Sequence, residues 1–312
     1  MELNQNEKYV VIAKVENINQ GVHFCNTTVR TEEGEHINLK LDFDQLPFVG
    51  MGKVYQFEAQ AIIKLEDELI LKCLSIIPVE QVLSDVELAR VLEHFYVYAP
   101  IPMMEIKKGI EGFMNKIDNP ILFKITQKLY QENENAFYMH PAATKFHHAY
   151  VGGLSHHTLT MLKLIDPFIT IYPYLNKNLL YAGTILHDMS KIDEISGVDG
   201  EYTKEGLLVG HLVMQTVDID RVARKLGYEN SEEVLMLKHM IISHHGQFNF
   251  GSPKKPQTGE ALLLWFIDTI DSKFTVLGEI LEDTADGAFT NMASVLDKMR
   301  FYKTTIKKDE EK

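Results

Sequence analysis

Ten of the 13 histidines of this 312-residue chain lie between positions 140 and 245. Five runs in and just beyond that stretch carry groups that could do chemistry. They hold His157 in GGLSHHT, the adjacent His187 and Asp188 in TILHDMSK, His211 in LLVGHLV, the pair His244-His245 in IISHHG, and Asp268 in LLLWFIDTID. Each lies near an apolar face, where a polar side chain needs a partner. Separate helices would thus turn an imidazole or a carboxylate toward one interior. Imidazole nitrogens and carboxylate oxygens without thiolate suit Mn²⁺, Fe²⁺, Co²⁺, Ni²⁺ or Zn²⁺. A carboxylate can bridge two cations and an imidazole cannot, which makes Asp188 the natural bridge. Two cations about 3.5–4 Å apart activate water and stabilise the attacking and leaving oxygens of an in-line displacement. The expected chemistry is phosphoester hydrolysis. Lys191, one turn beyond Asp188, could neutralise charge developing on the phosphoryl group as a compact point cation.

A lone buried histidine is more often a hydrogen-bonded core residue, and His23, His36, His94, His140 and His239 are read that way. His156 points elsewhere on its helix than His157. His147-His148 could simply be surface. Met103-Met104, Phe95, Tyr96 and Tyr98 read as packing. Cys25 and Cys73, the only cysteines, are too few and too far apart for a disulfide framework or a thiolate zinc site.

The elements that must position these groups fall into two textures. From Tyr9 to about Pro78 the chain runs in short alternating or β-branched stretches broken by Gly21, Glu33-Gly34, Gly50-Met51-Gly52 and Glu66-Asp67. Five strands in this length suggest a small barrel or sandwich, and an OB-like barrel fits the count. Beyond Pro78 the apolar spacing becomes helical, with long amphipathic stretches over 157–171, 177–188, 205–226, 231–244 and 259–282. The fold class expected is multidomain α+β, an N-terminal five-stranded OB-like barrel followed by an all-α domain. The divisions expected are 1–80 for the barrel, 81–140 for a helical linker or packing segment, 141–302 for the all-α domain and 303–312 for a charged tail.

Net charge is −13, from 31 basic and 44 acidic residues, which argues against gripping nucleic acid by bulk electrostatics. Residues 1–80 hold 7 basic and 13 acidic side chains, so the barrel is not basic either. A single strand would have to be held by local stacking, for which Phe24, Phe43, Tyr55 and Phe57 are candidates. Lys107, Lys108, Lys124, Lys128, Lys145, Lys254 and Lys255 are candidates for tracking its backbone. No apolar run reaches the roughly 18 residues of a membrane span, and no export signal is evident, so a cytoplasmic protein without membrane association is expected.

The ordered set H…HD…H…H…D resembles the HD-domain metal-dependent phosphohydrolases. More closely, the runs FYVYAP, PAATKFHHAYVGGLSHHT, LLYAGTILHDMSKIDE, YTKEGLLVGH, ISHHGQFNFGSPKKPQTGEA and FIDTIDSKF resemble the YhaM-type 3′→5′ exoribonucleases, which join an OB-fold to an HD domain. The resemblance implies a metal-dependent phosphodiesterase that trims single-stranded RNA, with single-stranded DNA also open, to nucleoside monophosphates. It implies two divalent ions, Mn²⁺ foremost. His157, His187, Asp188 and Asp268 would surround one, and Asp188, His211 and His244 or His245 the other, His244 being preferred. Asp271 would orient a ligand or water, and His147 and His148 would contact the terminal nucleotide. Ser190 stands where HD proteins usually carry Gly, and removes no ligand. HHGQFNFGSPKKP lacks the GYP element of cyclic-dinucleotide phosphodiesterases, and HDMSK lacks the acidic pair of alarmone hydrolases. The alternatives are an HD phosphohydrolase of free nucleotides and a non-catalytic nucleic-acid-binding module with a structural metal. Self-association into a homo-oligomer stays open.

Overall fold

A computed structural model describes residues 4–63, 69–144 and 148–306. It divides into two compact units, 1–98 with 195–202, and 99–194 with 203–312.

The first unit is a closed barrel of β1 (Lys8–Gln20), β2 (Cys25–Thr31), β3 (His36–Lys40), β4 (Val54–Ile63) and β5 (Leu69–Pro78) in the order β1-β2-β3-β5-β4, with β4 pairing back to β1. Neighbours are antiparallel except β3 and β5, which run parallel. This is the expected OB-like barrel. Alternation sets its interior: β2 buries every second residue from Cys25 to Thr31, and β3 buries Ile37 and Leu39 while exposing His36, Asn38 and Lys40. Phe57, Leu39 and Val29 fill the centre. Helix α1 (Asp85–Phe95) belongs to this unit, where Phe95 packs with Val54 and Val79. The segment 195–202 also belongs to it. Its Asp199 takes an ion pair at 2.7 Å from Lys14, whose buried Nζ also donates to the Phe95 carbonyl at 2.9 Å.

The second unit is helical: α2 (Met103–Met114), α3 (Pro120–Met139), α4 (Gly153–Ile171), α5 (Lys177–Leu186), α6 (Lys191–Glu194), α7 (Lys204–Leu208), α8 (His211–Leu226), α9 (Glu232–Ser243) and α10 (Gly259–Glu282). Side-chain caps fix many starts. Asn119 accepts from the Ile121 and Leu122 amides, Asn176 from Leu179, Thr203 from Gly206, Ser231 from Val234 and Thr258 from Ala261. The stretch expected as one helix over 205–226 is two, α7 and α8, interrupted at Gly210.

Two divisions differ from expectation. The boundary between units falls after residue 98 rather than 80, and 103–139 is part of the helical unit rather than a separate segment, packing there as the second of its expected roles had it. Ile106, Ile110, Leu122, Ile125 and Leu129 on α2 and α3 join Leu154, Leu162, Ile165, Leu180 and Ile267 in one apolar cluster. No helix among the described residues is long and apolar enough to cross a membrane.

Candidate metal centre

Five polypeptide segments bring the expected groups together, each by a local device. At the start of α4, Gly153 lies so close to the backbone of His148 that a Cβ would stand 1.9 Å from its carbonyl oxygen, so only glycine lets the chain turn into the helix that carries His157. Helix α5 ends at Leu186, and the turn after it presents His187 and Asp188. His211 opens α8, His244 caps α9, and Asp268 lies within α10.

Asp188 stands at the centre of the group. Its Oδ2 lies 3.3 Å from His187 Nε2 and 3.9 Å from His157 Nε2, while its Oδ1 lies 3.3 Å from His211 Nε2 and 3.4 Å from His244 Nε2. His157 Nε2 is also 3.3 Å from His187 Nε2 and 3.4 Å from Asp268 Oδ1. Ligands bound at about 2.0–2.2 Å around one ion lie about 2.8–3.6 Å from each other at tetrahedral or adjacent octahedral angles, so most of these separations match shared coordination. Oδ2 therefore faces His157 and His187, with which Asp268 is grouped, and Oδ1 faces His211 and His244, with which His245 is grouped.

The ring orientations reinforce this. Each imidazole uses Nδ1 for a protein acceptor: His157 for Asp271 Oδ2 at 2.6 Å, His187 for the Thr184 carbonyl at 2.7 Å, His211 for Glu194 Oε2 at 2.9 Å, His244 for the Ile241 carbonyl at 2.8 Å and His245 for the Phe250 carbonyl at 2.8 Å. Donation from Nδ1–H leaves the Nε2 lone pair for the interior, the arrangement usual around a metal. Asp188 Oδ1, His211 Nε2 and His244 Nε2 are buried and make no hydrogen bond among the described residues. Three such atoms facing one another are costly unless something fills the space between them. The residues present fit divalent cations.

Charges are set by burial and by close partners. Burial opposes ionisation of Asp188, yet His187 and Lys191 hold its carboxyl well below the usual range. Burial opposes the charge of Lys191 as well, and Asp188, 2.7 Å from its ammonium, keeps it raised. His157 is pulled down by burial but carried up to about 10 by Asp268 and Asp271. Burial lowers His211 and His244, and burial followed by the neighbouring His244 brings His245 to about 4.

Asp271 sits where expected, against His157. It also accepts from His148 Nε2 at 2.8 Å, and a relay continues through Tyr150 to His156 at 2.7 Å for each step. The expected contact of His148 with a nucleotide is therefore corrected: the ring is buried and both its nitrogens are engaged, which makes it a support for Asp271. His147 and Lys145 lie outside the described residues. Tyr55 is also corrected. It is buried in the barrel, edge-on to Phe57, with its hydroxyl accepting from the Gly50 amide, so neither ring offers a face to a base. Phe24 and Phe43 are about half exposed. Lys107 pairs with Glu134, Lys128 with Glu132, and Lys124 donates to the Tyr228 hydroxyl. Glu194 is the functional residue that the sequence reading missed. It is buried, and its Oε1 accepts from the backbone amide of His211 at 3.0 Å while Oε2 takes the ring. Its signal was present in HDMSKIDE as an acid one helical turn past Lys191.

Fold and site together define a class: an OB-like barrel joined to a helical unit whose His/Asp cluster is suited to metal. No family model matches the chain. Curated relatives named 3′-5′ exoribonuclease YhaM do match. That of Bacillus subtilis (strain 168) is 40% identical over 218 residues, covering 70% of this chain and 69% of the relative. That of Geobacillus sp. (strain WCH70) is 40% identical over 67% of this chain and 64% of the relative, and that of Bacillus licheniformis is 40% identical over 70% and 69%. The chain belongs to this family of enzymes, the YhaM 3′-5′ exoribonucleases.

Proposed function

We propose that the protein hydrolyses single-stranded RNA from its 3′ end, adding water across the terminal phosphodiester and releasing a nucleoside monophosphate at each turn. The observation that carries this reading is the division of four histidines between the two oxygens of Asp188, with Asp268 and His245 grouped beside them. On it, His157, His187, Asp188 and Asp268 would hold one divalent cation, and Asp188, His211 and His244, with His245 beside them, a second. The donor set accepts Mn²⁺, Fe²⁺, Co²⁺, Ni²⁺ or Zn²⁺, and Mn²⁺ is taken among them on the family resemblance. When bound, such a pair supplies Lewis-acid activation of water and charge stabilisation.

The chain's own residues do the rest. Asp188 and Asp268 supply the negative charge that draws the cations in, and Asp271 and Glu194 fix the ring planes of His157 and His211. Lys191 stays protonated beside Asp188 and offers a fixed positive charge to the phosphoryl oxygens. In the barrel, a groove of about 1150 Å³ runs along β2 and β3 and is lined by His23, Phe24, His36, Asn38, Lys40 and Ile70. OB barrels take oligonucleotides over strands 2 and 3 and the loop between strands 1 and 2, which supports binding of the strand there. With RNA as substrate, we place the protein in the cytoplasm.

The test is product analysis of a 5′-labelled single-stranded RNA incubated with purified protein and Mn²⁺, with single-stranded DNA and nucleoside triphosphates in parallel. A descending ladder of RNA products supports the reading. An intact oligonucleotide beside hydrolysed triphosphates overturns it in favour of a nucleotide phosphohydrolase.

A further inference from the structure

The turn that follows the paired histidines carries two aromatic rings that the core does not take up. Phe248 and Phe250 stand 64% and 58% exposed, only one residue apart in a short 3₁₀ turn. Their backbone is nevertheless held firmly. The Phe250 carbonyl accepts from His245 Nδ1, and the buried Ser252 hydroxyl donates to the Ile242 and Lys254 carbonyls at 2.8 and 2.9 Å. At the root of the turn Gly246, with φ of 77°, passes so close to Trp265 that a Cβ would come within 2.0 Å of the indole. Two cations complete the feature: Lys255 Nζ lies 5.5 Å from the Phe248 ring centroid, and Lys254 is exposed beside it. The loop is rooted on His245, whose ring stands 4.6 Å from that of His244 and 5.1 Å from that of His211.

We propose that Phe248 and Phe250 stack the bases at the 3′ end of a single-stranded RNA while Lys254 and Lys255 hold its phosphates, so that the loop seats the strand beside the metal cluster. The inference rests on the exoribonuclease reading and names the side chains that would position its substrate. Aromatic faces stack any base, and ammonium groups alongside them meet the backbone charge, a combination that binds single strands without sequence preference. A purely apolar protein partner would leave the lysines unmatched. The barrel alone would bind a strand at a distance along the chain from the cluster; this loop follows His245 directly and is tied to it by the Phe250 carbonyl.

Steady-state kinetics of the full-length protein with Mn²⁺ test this, using an unstructured oligoribonucleotide and the same oligomer with abasic residues at its last two positions. Stacking of one base is worth about 5- to 150-fold in binding. The double substitution Phe248→Ala/Phe250→Ala is therefore expected to raise KM for the intact oligomer at least 10-fold. Mn²⁺ affinity and melting temperature should stay at wild-type values, and the abasic-ended oligomer should show no change in KM. Phe248→Leu/Phe250→Leu, which keeps apolar bulk and removes the π face, is expected to raise KM for the intact oligomer as well. Lys254→Gln/Lys255→Gln should lower the slope of log KM against log salt by about 1.4, at about 0.7 per phosphate contact on a single strand. An unchanged KM in the alanine pair, an equal loss on the abasic-ended oligomer, or full rescue by leucine overturns the proposal while wild-type RNA degradation leaves the exoribonuclease reading standing. Wild-type protein that degrades no RNA overturns that reading instead.

Discussion

Glu194 offers a perturbation confined to one half of the cluster. Its two oxygens hold His211 by ring and backbone, at 2.9 and 3.0 Å. Glu194→Gln keeps one acceptor oxygen and replaces the other with an amide NH₂, so one of the two His211 donors loses its partner. Loss of a partner that orients a ligand histidine costs about 10- to 100-fold in metal affinity, or about 1.4–2.7 kcal/mol. Glu194→Ala removes both acceptors and leaves two buried donors unpaired, for a further loss of about 1–3 kcal/mol each in stability. On the other side of Asp188, His157 is held by Asp271 and His187 by the Thr184 carbonyl, and neither contact involves Glu194. Calorimetric titration of the metal-free protein with Mn²⁺ should therefore show one binding event weakened 10- to 100-fold in Glu194→Gln and the other changed less than twofold. Equal weakening of both events, or no change in either, would refute the link between Glu194 and the His211 side.

Asp188→Asn should abolish RNA hydrolysis and, by leaving the Lys191 ammonium without its counter-charge, cost about 3 kcal/mol of stability in urea denaturation of the metal-free protein. A variant that keeps more than a tenth of wild-type nuclease activity, with contaminating nucleases excluded, counts against the bridge. Phe24→Ala should weaken equilibrium binding of single-stranded RNA by about 1–3 kcal/mol without altering Mn²⁺ affinity, and unchanged RNA affinity would remove Phe24 from the binding surface. The metal-free protein should be most stable near pH 6.5. His245, lowered to about 4, is protonated first in the unfolded chain as pH falls from 6.5 toward 4, which removes up to about 3 kcal/mol. His157, raised to about 10, contributes stability that is full below 6.5 and is lost as pH rises through 10. Thermal melts in chelator across pH 4–10 check both limbs, and a stability that rises steadily in one direction contradicts the pairing.

Much of this was legible in the chain. Alternation over Cys25–Thr31 and His36–Lys40 marked strands, and the histidine and aspartate spacing singled out the residues that meet around Asp188. What stayed hidden depends on which face of an element meets what. Period two told that Tyr55 and Phe57 share a face of β4, but not that the face turns inward. The segment 81–140 read as helical without showing that Ile106 and Ile110 join the core of the helical unit. Glu194 and His211 are 17 positions apart, and only the close approach of α6 to the start of α8 makes one the acceptor of the other. The resemblance put His148 at the terminal nucleotide, and only the return of α10, which brings Asp271 to its ring, shows the ring to be engaged.

The bridge at Asp188 is tested most directly by counting and locating Mn²⁺ in the full-length protein by titration and electron paramagnetic resonance. Two ions per chain with the exchange-coupled signal of a pair about 3.5–4 Å apart, lost in Asp188→Asn, are expected. A single ion, or two that give uncoupled signals, would contradict the bridge and the hydrolytic role derived from it.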